Sequence, residues 1–312
     1  MQAATELGTI LKQLLSSDLE LEAPAVAGAL TVFPIMGSPA KLDVVAFADA
    51  VEEGASAKEL PGGASVNDLL IHNPTARYLL LVDGEEVLGA QQNRVFDGTH
   101  LVAPGESRTV AVCCVEQGRW DGRRRRESFT ASRQVADPSL RRDMCLDRSR
   151  SVDHRTVQTM VWARVAETVH FSGVASHTTA LNDVYVQRDE TLEETCAQIP
   201  LRPGQLGMLV FLGGRFAALD WVGHPDAFER LHPRLLRGYA LKALDRPAPK
   251  RRPGKRKAQQ LLDQLVVAPV RAVGDVGRAQ NLAVGTPDTE DAFTGTGLAV
   301  DGELLHVSVF PG

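Results

Sequence analysis

The reactive side chains of this sequence crowd into two short strings. One is Gly84-Glu85-Glu86-Val87-Leu88-Gly89-Ala90-Gln91-Gln92-Asn93-Arg94, and the other is Cys114-Val115-Glu116-Gln117-Gly118-Arg119-Trp120. Each sets polar groups at the end of an apolar run, where a rigid strand presents chemistry. Glu116 follows a hydrophobic strand, so partial desolvation is expected to raise its pKa and suit it to general acid or base work. Glu85, just past the Asp83-Gly84 turn, is a second carboxylate, and paired carboxylates are the usual equipment for breaking a glycosidic bond. The plainer reading makes Glu85 a solvated turn residue and Glu116 an ion-pair partner of Arg119 or Arg94. Cys114 is a nucleophile if a nearby arginine favours its thiolate, or a small buried hydrophobe if none does.

Arg94 and Arg119 carry planar forks that match phosphate or carboxylate, or that pair with the two glutamates. Gln92 and Asn93 bring donors and acceptors that read a base or a sugar, or that satisfy a tight turn. Gln117 is grouped with them as a ligand-binding residue. Trp120 offers a ring that stacks on a base, or that packs.

The elements that hold these groups are mainly strands. Short apolar runs with β-branched residues occupy 29–35 and 44–48, and further strands are expected at 67–72, 77–82, 101–104 and 109–115. Asp83-Gly84 reads as a hairpin turn joining 78–82 to 85–89. The strand at 109–115 is apolar on both faces and is expected to be covered on both sides. Beyond Asp121 the character changes. Residues 121–134 read as an Arg-rich loop, and 156–169 and 180–199 as amphipathic helices. A hairpin at Gly213-Gly214 and a helix over 226–244, broken at Pro233, come next. Residues 245–257 read as an exposed Pro-rich basic linker, followed by a helix at 257–266 and closing strands with a turn at Asp301-Gly302. The repeat of Val82-Asp83-Gly84-Glu85 as Val300-Asp301-Gly302-Glu303 is attributed to shared hairpin chemistry rather than to duplication.

The fold class is therefore α+β. An antiparallel, sandwich-like, β-rich half over 1–120 is joined to a half of helices and further hairpins over 121–312, as one domain. Regular βαβ alternation and a Gly-rich phosphate loop are missing, which argues against a Rossmann or P-loop enzyme.

The chain has 312 residues, 44% hydrophobic and 23% charged, so it can bury a sizeable core. Its net charge of −5 provides no global field for nucleic acid, although Arg123–Arg126 and residues 250–257 are locally basic. The four arginines can draw a polyanionic ligand toward the site, or form a solvated loop. A spanning segment and a secretory leader are not expected: the start has helical leucine spacing at Leu7, Ile10, Leu11, Leu14 and Leu15. Cys113, Cys114, Cys145 and Cys196 include no CxxC pair, so no metal ligand is assigned and reduced thiols in a cytoplasmic setting are expected.

Taken together, Asp83-Gly84-Glu85, Gly89-Ala90-Gln91-Gln92-Asn93-Arg94 and Cys114-Val115-Glu116-Gln117-Gly118-Arg119-Trp120 resemble the bacterial ARG-and-rhodanese-phosphatase-superfamily-associated protein family. The ending Gly297-Leu298 … Leu305-His306-Val307 … Phe310 is similar too, and the resemblance runs from about Val26 onward. The family is named for the company its members keep, ADP-ribosylglycohydrolase-type and phosphatase-type proteins among them. The resemblance thus implies a role near NAD or ADP-ribose metabolism and carries no cofactor and no catalytic residue.

On the residues themselves, Glu116, Glu85 and Cys114 are the catalytic candidates, and Gln92, Asn93, Arg94, Gln117, Arg119 and Trp120 the ligand-binding ones. The expectation is an ADP-ribose or NAD-type nucleotide that is bound, or hydrolysed at a glycosidic or phosphoester bond. The alternatives are a noncatalytic sensor of that ligand and a dock for a partner enzyme of ADP-ribose metabolism.

Overall fold

The computed structural model describes residues 19–149, 153–276, 279–285 and 293–312. They form two compact units, one made of the residues up to Asp43 with Glu194–Gly312, the other of Val44–Glu193. The cuts fall at 43/44 and 193/194, whereas the sequence reading divides the chain at 120/121. The reason is a pairing between distant strands: a strand near the start of the chain joins one beyond residue 200. The leucine-rich run at 7–15 lies outside the described residues.

Elements are numbered along the whole chain. The discontinuous unit holds β1 (Glu20–Leu21), β2 (Ala25–Ala27), β3 (Leu30–Met36), β13 (Gly207–Leu212), β14 (Arg215–Val222), β15 (Val270–Val276), β16 (Ala279–Val284), β17 (Phe293–Val300) and β18 (Glu303–Pro311). They build one sheet in the order β1-β3-β13-β14-β18-β17-β16-β15, with β2 also on β3. β13 is buried at every position, as its unbroken apolar run requires. Phe33, Leu209, Phe211, Trp221 and Val307 pack there with Ala258, Leu262 and Leu265 of a helix at Lys255–Val266.

Both expected hairpins form. Gly213 and Gly214 have φ of +58° and +83°, Asp301 and Gly302 +49° and +81°, as a tight two-residue hairpin demands. The helix Pro225–Leu244 runs unbroken through Pro233, contrary to the expected break. Proline removes one backbone hydrogen bond, but the buried face of Phe228, Leu231, Leu235 and Tyr239 continues on both sides and holds the helix. Residues 245–254 are mostly exposed, and 255–257 open the following helix rather than ending the linker.

The continuous unit contains β4 (Val44–Ala46), β5 (Ser56–Lys58), β6 (Asp68–His72), β7 (Tyr78–Leu81), β8 (Glu85–Leu88), β9 (Arg94–Phe96), β10 (His100–Val102), β11 (Ser107–Cys114) and β12 (Thr130–Val135). One sheet has the order β10-β7-β4, the other β12-β8-β9-β11-β6-β5. Val45, Leu79, Leu81 and Val102 of the first share a core with Leu69, Val87, Phe96 and Val112 of the second, a sandwich-like arrangement. The β4–β7 pair is parallel, an exception to the antiparallel expectation.

Asp83-Gly84 is a turn but not a hairpin. β7 and β8 flank it and belong to different sheets. Gly84 has φ +79° while Asp83 is not left-handed, the pattern of a turn that splays its flanking strands. Three further differences lie nearby. The run 44–48 gives way to α1 (Phe47–Glu52). The expected loop at 121–134 holds one 3-10 turn (Gly122–Arg124) and then β12, which pairs with β8. An unanticipated helix, α2 (Pro138–Ser149), starts where Asp137 Oδ1 accepts from the Ser139 and Leu140 amides. α3 (His154–Ser172) is as expected, and the run 180–199 is two helices, α4 (Leu181–Gln187) and α5 (Asp189–Ala197). Among the described residues no helix is long and apolar enough to cross a membrane.

Candidate functional site

β9 and β11 lie side by side with Cys114 opposite Arg94, so the two reactive strings of the sequence meet. Past Cys114 the chain leaves the sheet and runs against residues 178–181: Gly118 N–H donates to the Thr178 carbonyl (2.7 Å) and Leu181 N–H to that of Val115 (2.9 Å). Gly118 has to be glycine, because a Cβ there would stand 2.8 Å from Thr178 Cα.

Glu116 is buried and fully engaged. Its carboxylate accepts from Arg119 Nε (2.8 Å) and Nη2 (2.7 Å), from the Asn93 amide (3.2 Å) and from Thr178 Oγ1 (2.9 Å). Arg119 also donates to the Ala90 carbonyl (2.7 Å) and to Asn93 Oδ1 (3.0 Å). This clamp holds Ala90 at φ +43°, a conformation that costs a non-glycine residue on the order of 1 kcal/mol. Glu116 and Arg119 therefore shape the 89–93 segment, which accords with the plainer reading of that pair.

Behind the clamp, Arg94 Nη1 (3.2 Å) and the Cys114 thiol both donate to Gln92 Oε1, and Gln92 Nε2 donates to the Glu116 carbonyl (3.0 Å). Gln158 of α3 pairs with both backbone groups of Cys114, at 2.8 and 2.9 Å. Burial pushes the Cys114 thiol up to about 11, with Arg94 pulling the other way. Such a thiol is protonated at neutral pH and behaves as core. Glu85 is fully buried rather than solvated: its Oε2 accepts from Val82 N–H (2.8 Å) and locks the Asp83-Gly84 turn. It begins β8, roughly 10 Å along the strand from the Leu88 end that feeds the site. Gln117 is exposed.

The open part of the site was not anticipated as such. A cleft of about 500 Å³ is lined by Lys58, Glu59, Leu60 and Pro61 on one side and by Gly122, Arg123, Arg125 and Arg126 on the other. Arg125 reaches across it to the Pro61 carbonyl (3.0 Å). Arg124 turns aside and pairs with Glu127. Glu59 is only 5% exposed, with its side chain almost wholly buried and no well-formed hydrogen bond to either carboxylate oxygen. The nearest counter-charge is Arg94 Nη2, 3.8 Å from Oε1. Arg94 is wholly buried, with Nε and Nη2 likewise lacking hydrogen-bond partners, as does Oε1 of the buried Gln91.

Burial raises the Glu59 pKa, opposed by Arg94, the Gln91 backbone N–H and Arg125. Burial also lowers that of Arg94, opposed chiefly by Cys114 and Glu59. The Trp120 ring lies 5.7 Å from the Arg94 guanidinium and is 49% exposed, two residues before the cleft wall at Gly122.

The walls of the cleft are thus mainly basic. Among the described residues no group of three or more His, Cys, Asp or Glu side chains is placed to hold a metal ion. Lys58 and Glu59 went unremarked in the sequence because a short, polar Lys-Glu step after a three-residue strand looks like ordinary surface.

The sequence pattern of the ARG and Rhodanese-Phosphatase-superfamily-associated Protein domain matches residues 18–310. The chain belongs to that family. The match spans nearly the whole chain, both compact units included. No curated protein and no solved structure shows detectable similarity to it. The clamp and the basic cleft are thus features of a member of this family, and both lie within the matched residues.

Proposed function

We propose that this protein binds a nucleotide of the ADP-ribose or NAD type in the cleft between residues 58–61 and 122–126. The observation that carries the reading is the cleft itself, whose walls hold three arginines and a lysine. Lys58, Arg123, Arg125 and Arg126 suit the diphosphate, in place of Arg94 and Arg119, whose guanidiniums face inward. Trp120, half exposed and backed by Arg94, offers a stacking face for a base. The family's name, which couples it to ARG and rhodanese-phosphatase proteins, supports a ligand of this kind.

If the ligand is turned over, the reaction is hydrolysis of a glycosidic or phosphoester bond. The complete engagement of Glu116 favours a second reading, a noncatalytic sensor, because that carboxylate has no lone pair left to activate water. A thermal-shift titration with ADP-ribose, NAD and pyrophosphate tests the binding. At about 100 times its dissociation constant a ligand adds about 2.7 kcal/mol and raises Tm. The shift is expected in the native protein and is expected to vanish in the Arg125→Ala/Arg126→Ala double variant. A flat response from the native protein across all three compounds would sink the proposal.

A further inference from the structure

Six of the eight residues from Lys250 to Lys257 are cationic, in a chain whose net charge is −5. The fold wraps this run around a cleft of its own, about 520 Å³ in volume, in the discontinuous unit. Arg251, Arg252, Arg256 and Lys257 line it, together with Gly214, Pro253 and Gly254. It shares no residue with the cleft at 58–61 and 122–126. The run is held in place. Arg252 Nη1 donates to the Gly28 carbonyl (3.0 Å), and Pro253 is buried. The 213–214 turn lies against it, since a Cβ on Gly214 would stand 3.4 Å from the Arg251 carbonyl oxygen.

Nothing in the protein neutralises this charge. No acidic side chain lines the cleft. Among the described residues no carboxylate pairs with Arg251, Arg256 or Lys257. The helix Lys255–Val266 starts here as well. Gly254 caps it without a side-chain hydrogen bond, and its first turn holds no acid. That turn carries Lys255, Arg256 and Lys257 instead, at the positive end of the helix macrodipole, where cations are unfavourable. The first-turn amides point the same way, and an anion from outside relieves both.

The composition of the lining narrows the anion. It contains no aromatic side chain on which a base could stack and no Asn or Gln to read one. Proteins that hold single-stranded nucleic acid combine a basic groove with such stacking platforms. The cleft has only cations and backbone, and the cationic run continues past it to Lys250 and Lys255. Several linked phosphates without bases match that arrangement, each meeting its own cation.

We propose that the cleft at 251–257 is a second anion site, and that it takes a linear inorganic polyphosphate chain. The chain lies along the cationic run, with one phosphate at the uncapped start of the helix Lys255–Val266. Pyrophosphate engages only part of the run and binds weakly there, because affinity accumulates over linked contacts.

The test is calorimetric titration of the full-length protein with a short linear polyphosphate, with pyrophosphate and with a single-stranded oligouridine, at equal phosphate concentration. The decisive variant is Gly254→Asp. Gly254 has the extended backbone of a helix cap, φ −89° and ψ 169°, and open space where a Cβ would be. Aspartate there caps the helix at least as well as glycine, so Tm should hold or rise, while its carboxylate occupies the anion's place. A purely structural role for the basic run would leave binding untouched by this change. The second variant, Arg251→Ala/Arg256→Ala, removes two exposed cations and keeps Arg252, which anchors the segment.

Polyphosphate is expected to bind the native protein at least tenfold more tightly than either other probe. Between about 50 and 200 mM salt that affinity should fall tenfold or more, as released counterions require. Both variants should weaken it at least tenfold, and Arg125→Ala/Arg126→Ala should leave it within about twofold. Polyphosphate held equally well by folded Gly254→Asp overturns the proposal, as does its loss in Arg125→Ala/Arg126→Ala. Oligouridine bound as tightly as polyphosphate overturns it in favour of a nucleic-acid backbone. No polyphosphate binding by the native protein overturns it and leaves the nucleotide reading of the other cleft standing. If Gly254→Asp does not melt cooperatively, Arg251→Ala/Arg256→Ala decides, and undiminished binding there overturns the proposal.

Discussion

Cys114 lies beside Arg94, a neighbour that lowers a thiol's pKa where water can reach it. Here burial outweighs the arginine and pushes the thiol up to about 11. The same weighing places Cys113 well above its ordinary range, mainly through burial. Iodoacetamide at pH 8 is therefore expected to modify the half-buried Cys196 first and to spare Cys113 and Cys114 until denaturant is added, as read by peptide mass mapping. Modification of Cys114 in native buffer as fast as Cys196 would restore it as a nucleophile. Glu85 and Glu116 tell a parallel story, because each carboxylate is committed to donors of the protein, Glu85 to the Val82 amide and Glu116 to Arg119, the Asn93 amide and the Thr178 hydroxyl. Glu59 is an acid whose pKa burial raises, and nothing in its local sequence marks it.

At the level of elements, the site depends on how closely residues 115–118 lie against 178–181. The contact is backbone to backbone, with the Gly118 position closed to any side chain by Thr178. Gly118→Ala is expected to force the two segments apart and to cost about 1–3 kcal/mol in a urea unfolding series, the usual penalty for overpacking. The same change loosens the Arg119 clamp on Ala90 and Asn93, so anion binding should weaken in parallel. A Gly118→Ala protein as stable as the parent would mean that the segments are free to separate. The Arg-rich stretch shows a related division of labour. Asp121 Oδ1 accepts from the Arg123 amide and opens the 3-10 turn, which sends Arg124 to Glu127 and Arg125 across the cleft.

For the molecule as a whole, each compact unit carries a neutral, buried-ring histidine. Burial pushes His100 down to about 3 in the Val44–Glu193 unit, with Arg108 and Arg148 adding to the effect, and pushes His232 down to about 4 in the other. A histidine whose folded pKa is depressed takes up its proton mainly in the unfolded chain. Its contribution is complete above the unfolded value near 6.5 and is lost as pH falls from there toward the folded values. Denaturation midpoints should accordingly drop between pH 7 and pH 4.5, and His100→Gln/His232→Gln should flatten that fall. An equally steep fall in the double variant would assign the acid sensitivity to carboxylates instead.

Much of the architecture is written in short stretches of sequence. The α+β class, the strands around 30–36, 68–72 and 107–114, the helix at 154–172 and the hairpins at Gly213-Gly214 and Asp301-Gly302 all follow from alternation, periodicity and turn chemistry. The Gln92-Asn93-Arg94 and Glu116-Gln117-Gly118-Arg119-Trp120 strings stood out in the sequence, and the pairing of Arg94 with Cys114 that brings them together came from the structure. Even the missed helix at Pro138–Ser149 announced itself through Asp137-Pro138, a cap followed by a residue preset for a first turn.

The remainder depends on partners far away in the chain. Val-Asp-Gly-Glu occurs twice: at 300–303 it closes a paired hairpin, and at 82–85 it sends its two strands into different sheets. Four residues cannot distinguish those outcomes, since strand pairing is set by which apolar faces find each other across long loops. Glu59 acquires its raised pKa in the same way, through burial that outweighs the opposing pull of Arg94 on another strand and of Arg125 more than sixty residues along the chain.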